Sequence, residues 1–314
     1  MASYNGSTYL AEQLKSFAAQ TRVPDELVVT DDVSMDTTAL IINEFKKTVK
    51  FPIRFCSNAE RLGSNLNFQR AISLCRSDVI LFSDQDDVWL PTHIQRITEA
   101  FEADKRVGVV VSCSDYVDAK LKPQGVNTWG AMRLHSRLRR RAAAEWQFPA
   151  WARQRFALGH GMGIRSALRE IAFPITASWN YDDWFAIVGA ASSRGVLIEK
   201  PLSLHRKHER QSVGHEAKPL SLLYAQRPRS GAYFDSEIAA WSDLLVRLES
   251  NKHKVVDKRV FTYIRGRIAF LKQRRKLFGF STVSRMTEAT RLLLARRYHA
   301  YGRGWLAYAR DLAG

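Results

Sequence analysis

The chain has only three cysteines in 314 residues, and this scarcity limits what can hold the fold together. Cys56, Cys75 and Cys113 are widely spaced, odd in number and include no Cys-x-x-Cys pair. The spacing therefore argues against a disulfide framework and against a structural zinc site. The hydrophobic fraction of 46% and the aromatic fraction of 11% instead predict a globular core held by apolar packing.

Long apolar runs are also missing from the sequence. No stretch approaches the roughly 20 apolar residues that an α-helix needs to cross a bilayer. The first six residues, Met-Ala-Ser-Tyr-Asn-Gly, lack the basic and then apolar order of a secretory signal. We therefore predict a cytoplasmic protein.

Acidic residues are scarce in the last third of the chain. Residues 219–314 contain 19 lysines and arginines but only 7 aspartates and glutamates, so this third carries 12 of the 17 excess positive charges. Such asymmetry predicts an anionic partner, which is a membrane surface, a nucleic acid or a phosphorylated substrate. Because the sequence has no zinc-finger pattern and no RNA-recognition signature, we predict that nucleic acid is not the partner.

The apolar residues of the first 115 positions alternate between a helical period and short buried runs. Strands alternating with helices predict an α/β fold with a mainly parallel central sheet. Residues 116–150 are predicted as a loop with a basic run at Arg137–Arg141, and the pattern from about residue 220 is long, basic and helical. The predicted early strands and helices are Leu27–Val29, Ile53–Cys56, Val79–Phe82 and Val107–Val111, and Ser7–Gln20, Phe68–Cys75 and Ile94–Phe101.

Ligands of open α/β sheets bind at the carboxyl ends of strands, and two acidic groups lie there. Asp31 and Asp32 follow one predicted strand, and Asp84, Asp86 and Asp87 follow another. Three carboxylates within four residues repel one another unless a cation is bound, and Mg²⁺ and Mn²⁺ prefer such oxygen ligands. The alternative is a solvated acidic turn. The buried strand before the cluster, with Trp89 and Pro91 after it, favours a metal site.

Three segments in this order resemble motifs of family 2 glycosyltransferases. Thr30–Asp36 (Thr-Asp-Asp-Val-Ser-Met-Asp) is similar to the Asp-Asp-Gly-Ser-x-Asp segment of that family. Ser83–Trp89 (Ser-Asp-Gln-Asp-Asp-Val-Trp) is similar to its DXD motif, in the form found in rhamnosyltransferase-like members. Ala2–Gly6 matches the Tyr-Asn-Gly that opens the nucleotide-binding half, and Arg61–Asn65 lies between the two acidic motifs.

The resemblance implies a GT-A fold, a nucleoside-diphosphate sugar donor, a divalent cation and an inverting transfer to a hydroxyl group. Leu204–His208 further resembles the Tyr-Arg-x-His segment that ends such catalytic domains, so Arg206 and His208 would contact the diphosphate or the metal. By this resemblance the donor would be held by Tyr4, Asn5, Asp31, Asp32, Arg61, Asn65, Asp84 and Arg206. The cation, Mn²⁺ or Mg²⁺, would be held by Asp86, Asp87 and His208.

The catalytic base is expected in the second half of the chain. Trp179–Trp184 (Trp-Asn-Tyr-Asp-Asp-Trp) resembles the family segment that supplies a carboxylate to deprotonate the acceptor, which makes Asp182 the base and Asp183 a neighbour. Adjacent carboxylates raise one pKa, which suits a base that works near neutral pH. The alternative is a helix start, where aspartates cap and interact with the dipole. The glycines of Gly159–Gly163 indicate either a close backbone approach or a tight turn.

Two departures from the family pattern leave other activities open. Val33 stands where the family has glycine, and a β-branched residue resists a positive φ, so the turn after Asp32 is expected to differ. The chain also starts where the family's first strand normally ends, so we expect that strand to be missing or truncated. The alternatives are an inactive relative and a nucleotidyltransferase, although the latter usually needs a basic phosphate-binding loop near the N-terminus.

Together these patterns predict a catalytic domain over residues 1–215 and a basic helical region over 216–314. Arg291–His299 mixes leucines with arginines, which suits a helix on an anionic membrane surface or a helical cap on the catalytic domain. The sequence thus predicts a peripheral enzyme on the inner face of the plasma membrane. Its acceptor would be lipid-linked or polysaccharide, its sugar rhamnose as a first expectation, and its role bacterial surface polysaccharide synthesis.

Overall fold

A parallel three-stranded sheet forms the N-terminal part of the computed structural model, which describes residues 1–209 and 231–312. Its order is β1 (Ala2–Ser3), β2 (Leu27–Asp31), β3 (Ile53–Ser57), and every residue of the central strand β2 is buried. An apolar core that includes Leu10, Leu14 and Phe17 of the first helix packs on this sheet. Because the strands are parallel, β2 and β3 end at the same edge, which places Asp31 and Asp32 there.

A second, mixed sheet of six strands carries the rest of the site. Its order is β4-β8-β6-β9-β5, and β7 pairs with β6 off this path. Strand β6 runs parallel to β9 and antiparallel to β8 and β7, and β5 runs antiparallel to β9. The α/β class is thus confirmed, with a wholly parallel first sheet. The strands are β4 (Val79–Leu81), β5 (Val88–Trp89), β6 (Val107–Val117), β7 (Pro123–Asn127), β8 (Met162–Arg165) and β9 (Arg194–Arg206).

Helices cover both sheets and continue into a helical C-terminal region. In chain order they are α1 (Leu10–Ala18), α2 (Thr38–Lys46), α3 (Ser64–Leu74), α4 (His93–Ala103), α5 (Thr128–Ala131), α6 (Ser136–Ala142), α7 (Phe148–Arg153), α8 (Arg169–Ala172), α9 (Tyr181–Ser192), α10 (Gly231–Ser250), α11 (Arg259–Lys276), α12 (Thr282–Leu294), α13 (Arg297–Tyr301) and α14 (Trp305–Leu312). Among the described residues, no helix is both long and apolar enough to span a membrane.

The C-terminal helices share a core with the sheet-bearing part. Trp241 of α10 packs against Trp179 with ring centroids 5.3 Å apart, and the Trp179 indole donates to the carbonyl of Ala240. One continuous apolar cluster joins these residues to Val109 and Val111 of β6. The predicted domain boundary at residues 215 and 216 lies outside the described residues, so it stays a prediction.

The structure corrects the expectation of a loop over residues 116–150. This stretch contains β7, α5, α6 and the start of α7. On α6, Leu138 and Ala142 are buried four residues apart, and the arginines between them lie on the outer side. The apolar face of α6 has only two residues and lies within a run of arginines. It is therefore too short for the helical period to be recognised in the sequence.

Candidate active site

The acidic segment Asp84–Asp87 connects β4 to β5 and lies beside the end of β9. Val88 pairs with Leu204, and this pairing brings Asp86 next to the residues that follow in β9. The Asp86 carboxylate lies 2.8 Å from His208 Nε2, and the Arg206 Nε donates to the Asp86 carbonyl at 2.9 Å. Asp86 and His208 are therefore in direct contact, and both were predicted from the sequence to hold the cation.

Asp84 lies on the opposite side of this segment and faces helix α9. Its Oδ1 accepts a hydrogen bond of 3.0 Å from the Tyr181 hydroxyl. Withdrawal from solvent and the nearby carboxylates of Asp87, Asp86 and Asp182 raise the pKa of Asp84 to about 8. Carboxylates that raise one another's pKa in this way form a strongly negative site that favours a cation.

Asp87 is fully buried and is held by two histidines. Its Oδ1 accepts from His205 Nδ1 at 2.9 Å and from the Arg206 backbone N–H at 3.0 Å. His160 Nδ1 lies 3.1 Å from Oδ2. Burial alone would raise the pKa of Asp87, but His160 and His205 lower it to about 2, so the carboxylate is ionised.

Asp182 and Asp183 begin helix α9 and point to different surroundings. Burial raises the pKa of Asp182 to about 6, although backbone hydrogen bonds from Asp183 and Gly159 act against this rise. Asp183 instead lies 3.7 Å from the Arg155 guanidinium, which also pairs with Glu237 at 2.9 Å. Burial and the charge of Asp182 raise the pKa of Asp183 well above its usual value.

The Tyr4–Gly6 segment is attached to the acidic segment through one side chain. The Gln85 amide accepts from the Tyr4 backbone N–H at 2.8 Å and donates to the Tyr4 carbonyl at 2.9 Å. A Cβ at Gly6 would lie 2.3 Å from Gln85 Oε1, so a larger residue there would displace the Gln85 side chain. The Arg61 guanidinium lies 4.0 Å from the centre of the Tyr4 ring, which brings two predicted donor-binding residues together.

Asp31 and Asp32 are both buried, and each holds a loop at the edge of the first sheet. Asp31 accepts from the Ser3 hydroxyl and from both the backbone N–H and the hydroxyl of Ser34. Asp32 accepts from the Asn58 amide and from the backbone N–H groups of residues 62 and 63. Val33, which follows Asp32, has a φ of +64°. The valine therefore adopts the left-handed conformation that a β-branched residue was expected to resist.

The remaining predicted residues hold neighbouring segments. Asn5 Oδ1 accepts from the Met35 backbone N–H, which joins the first motif to the turn after β2. Asn65 accepts from the Tyr181 backbone N–H at 3.0 Å and donates to the Trp179 carbonyl at 2.7 Å, so it fixes the start of α9. Arg206 is buried, with contacts to Asp86, the carbonyl of Ala119 and the carboxylate of Glu12, and lies over the Tyr9 ring.

Comparison with known proteins identifies the family. The sequence profile described as glycosyl transferase family 2 matches residues 1–171, which is more than half of the chain. The chain belongs to glycosyl transferase family 2. This family 2 glycosyltransferase is 25% identical over 254 residues to an uncharacterized glycosyltransferase from Nostoc sp., covering 79% of this chain and 75% of that protein.

Two other similarities bear on the donor and on the fold. A dTDP-rhamnosyl transferase from Shigella flexneri, RfbG, is 37% identical over 99 residues, which are 30% of this chain and 34% of RfbG. The mannosyltransferase PcManGT from Pyrobaculum calidifontis, solved with GDP-Man and Mn²⁺, matches with a TM-score of 0.56 at 16% identity, covering 99% of this chain and 84% of that chain. The second likeness confirms the GT-A fold of this family 2 glycosyltransferase.

The sequence did not single out His160, His205, Tyr181 or Gln85 as site residues of this glycosyltransferase. His160 and His205 lie on segments that the motif comparison selected, but for other residues. The available signal was a set of polar residues within two strands of the second sheet, because buried polar groups are rarely left without partners. They are Ser114 of β6 and Ser203 and His205 of β9, and all three are buried.

Proposed function

We propose that this family 2 glycosyltransferase performs a cation-dependent, inverting transfer from a nucleoside-diphosphate sugar to an acceptor hydroxyl. One observation supports this most directly. The Asp86–His208 pair, Asp84 and Asp182 converge at the same edge of the molecule, so that Asp182 acts on the pKa of Asp84. A site for the departing diphosphate and a base for the incoming hydroxyl are the two parts that such a transfer needs.

The residues present fit a divalent cation. Asp86 and His208 would hold it, with Asp84 beside them; burial and then the neighbouring carboxylates raise the pKa of Asp84, and a cation would neutralise part of that negative charge. Bound there, Mn²⁺ or Mg²⁺ would neutralise the charge that develops on the diphosphate leaving group. The Mn²⁺ in the related PcManGT structure supports the same assignment.

The base is Asp182 in this proposal. The acceptor oxygen attacks the anomeric carbon, the bond from that carbon to the diphosphate oxygen breaks, and the hydroxyl proton passes to Asp182. A pKa of about 6 keeps Asp182 ionised at neutral pH while leaving it basic enough to accept the proton. Asp183 is a weaker candidate because its carboxylate faces Arg155.

The donor is bound at the edge of the first sheet. Tyr4 and Arg61 form a flat, partly exposed surface suited to stacking a base, and Asp31, Asp32 and Asn5 hold the loops that frame it. Arg206 and Asn65 act as framework residues of this pocket. The similarity to RfbG favours dTDP-rhamnose as the donor, and this choice depends on that similarity alone.

The acceptor is proposed to be lipid-linked or polysaccharide, reached from the cytoplasmic face of the plasma membrane during bacterial surface polysaccharide synthesis. Helix α12 exposes an apolar outer face, with Val283 75%, Met286 51% and Leu294 79% accessible. Helix α14 packs against α12, and its Trp305 is 65% exposed. Arg291 lies in the last turn of α12, and Arg296 and Arg297 follow its end. Apolar residues with flanking arginines suit a surface that lies on an anionic leaflet.

The donor site is tested by thermal unfolding with dTDP, UDP and GDP, each with and without Mn²⁺. We expect a metal-dependent stabilisation by one nucleotide that is lost in Asp86→Ala and kept in Asp25→Ala, which changes an exposed aspartate in the loop before β2. If a folded wild-type chain shows no response to any nucleotide, the donor site is inactive and the proposal fails.

The membrane surface is tested by sedimentation with vesicles of anionic and of neutral lipid. We expect Val283→Asp/Leu294→Asp to reduce binding to anionic vesicles about 10-fold or more, because apolar insertion is lost and negative charge is added. Val246→Asp is the matched control, since Val246 is also exposed at 62% but lies on α10. Equal binding by all three proteins would contradict the assignment of α12.

A further inference from the structure

The buried cluster of Asp87, His160 and His205 lies behind Asp86 and His208, the pair of residues proposed to hold the cation (the metal pair). The cluster has no part in the reaction described so far. Asp87 Oδ1 is hydrogen-bonded to His205 Nδ1, whereas Oδ2 makes only a charge contact among the described residues, with His160 Nδ1 at 3.1 Å. The two imidazole rings are stacked nearly parallel, 4.4 Å apart with an angle of 9°.

The second nitrogen of His160 extends the cluster into the sheet. His160 Nε2 lies 2.8 Å from the Ser114 hydroxyl, which lies 2.7 Å from the Ser203 hydroxyl. These serines are on β6 and β9, two adjacent strands of the second sheet. The orientation of the His160 ring is therefore set by the rigid centre of the sheet.

The cluster is connected to the metal pair through the backbone on both sides. Asp87 directly follows Asp86 in the chain, and His205, near the end of β9, precedes His208, which lies just after that strand. The Arg206 backbone N–H also donates to Asp87, and its side chain donates to the Asp86 carbonyl. Any shift of the Asp87 carboxylate relative to β9 would change the separation of Asp86 from His208.

The ligand atoms of Asp87, His160 and His205 lie within 4.8 Å of one another, close enough for a metal ion, but the ring geometry favours direct contacts between carboxylate and imidazole. A tetrahedral cation needs nitrogen lone pairs that converge on one point. Here the two rings are parallel, and their Nδ1 atoms approach different oxygens of one carboxylate at hydrogen-bond distances. Oδ1 of Asp87 is thus hydrogen-bonded to His205 and to the Arg206 backbone, and Oδ2 faces His160.

We infer that Asp87, His160 and His205 are positioning residues that fix the distance between Asp86 and His208 and so set the affinity for the cation. The inference rests on the proposed function. Residues that orient metal ligands typically change metal affinity by about 10–100-fold when they are replaced. The same size of effect is expected here.

The test compares His205→Leu with His205→Asn. Asparagine keeps an N–H donor near the position of Nδ1, whereas leucine removes it. Mn²⁺ alone is titrated into each protein, and free Mn²⁺ is followed by its paramagnetic resonance signal. We expect the affinity of His205→Leu to fall about 10–100-fold and that of His205→Asn to stay within about threefold of wild type.

Two further variants separate positioning from a general loss of stability. Ser114→Ala removes only the hydroxyl that orients His160 and should weaken Mn²⁺ binding by up to about 10-fold in a folded chain, even if His205→Leu does not fold. Asp311→Asn breaks a buried ion pair in the C-terminal helices and should lower stability without changing Mn²⁺ affinity.

Three outcomes would overturn the inference. Wild-type affinity in folded His205→Leu and Ser114→Ala would show that the cluster does not position the pair. One tightly bound zinc per chain, lost in His205→Leu, would make the cluster a metal centre. A wild-type chain that binds nucleotide but no Mn²⁺ would remove the cation from the proposed function as well, whereas wild-type binding with unaffected variants overturns only the positioning role.

Discussion

The hydroxyl of Tyr181 donates a hydrogen bond to Asp84 across the gap between the start of α9 and the acidic segment, at 3.0 Å. The Tyr181 ring is stacked on Phe68 of α3 with centroids 3.7 Å apart, and a Cβ at Gly159 would collide with the hydroxyl at 1.8 Å. Tyr181 therefore has little freedom to move. This contact joins the helix of the proposed base to the segment of the proposed cation.

Replacing Tyr181 by phenylalanine should lower kcat/KM about 10-fold, because the Asp84 carboxylate loses a hydrogen-bond donor worth on the order of 1–2 kcal/mol. The matched control is Tyr116→Phe. The Tyr116 hydroxyl is buried and has no hydrogen-bond partner within the described part of the chain. Steady-state kinetics with the donor identified by thermal unfolding would check this. Equal losses in both variants would contradict a specific role for Tyr181.

Asp182→Asn should reduce kcat by about 10²–10⁴-fold, the usual contribution of a general base. Stabilisation by nucleotide and Mn²⁺ should persist, because Asp182 does not hold the donor in this proposal. Asp183→Asn should retain much more activity, since the Asp183 carboxylate faces Arg155. The reverse order of kcat values would make Asp183 the base.

The pH dependence of the reaction follows from the same carboxylate. A base must be ionised, so kcat/KM should fall as pH drops through the pKa of Asp182, about 6, by tenfold per pH unit below it. A bound cation would move this limb to lower pH by stabilising the ionised form. The profile is measured at saturating Mn²⁺. Asp183→Asn should keep the limb, and the residual activity of Asp182→Asn should lack it.

The acidic positions of the site were predictable from the sequence because they depend on local order. Asp84–Asp87 directly follows a buried strand, and Asp182 begins an apolar helix, so their neighbours in the chain indicated where they lie. Arg206 and His208 were found through their resemblance to a family motif. Such positions can be predicted because they depend only on residues that are neighbours in the chain.

The histidine cluster could not be predicted because its members meet only through sheet pairing. His160 and His205 precede and end different strands, β8 and β9, and both strands are neighbours of β6. No local spacing encodes that arrangement. The assignment of Asp87 to the cation stays a prediction, and its contacts with His160 and His205 could not be foreseen for the same reason.

Val33→Gly should stabilise the protein by about 0.5–1 kcal/mol. A left-handed valine costs about 1–2 kcal/mol, and the greater freedom of glycine in the unfolded chain offsets part of the gain. The control is Val23→Gly, at an exposed position outside the positive-φ residues, which should be neutral or destabilising. Urea unfolding followed by circular dichroism measures both. A loss of stability in Val33→Gly would show that the valine side chain makes contacts that outweigh the strain.

A buried ion pair holds the C-terminal helices together. Arg274 of α11 donates to Asp311 of α14 at 2.6 Å, and the Tyr298 hydroxyl donates to the same carboxylate at 2.5 Å. Arg274 and Asp311 are 2% and 3% exposed. Asp311→Asn leaves the guanidinium buried without a counter-charge and should destabilise the chain by about 3–5 kcal/mol.

Two variants test whether the charge itself causes this loss. Glu288→Gln breaks the exposed pair with Arg291 and should leave stability nearly unchanged, because solvent screens that pair. Arg274→Met/Asp311→Leu removes both buried charges and should recover most of the stability lost in Asp311→Asn, since the cost arises from the unpaired charge and not from the absent bond. If the double variant is as unstable as Asp311→Asn, then packing around Arg274, which lies over the rings of Phe234 and Phe270, contributes more than its charge.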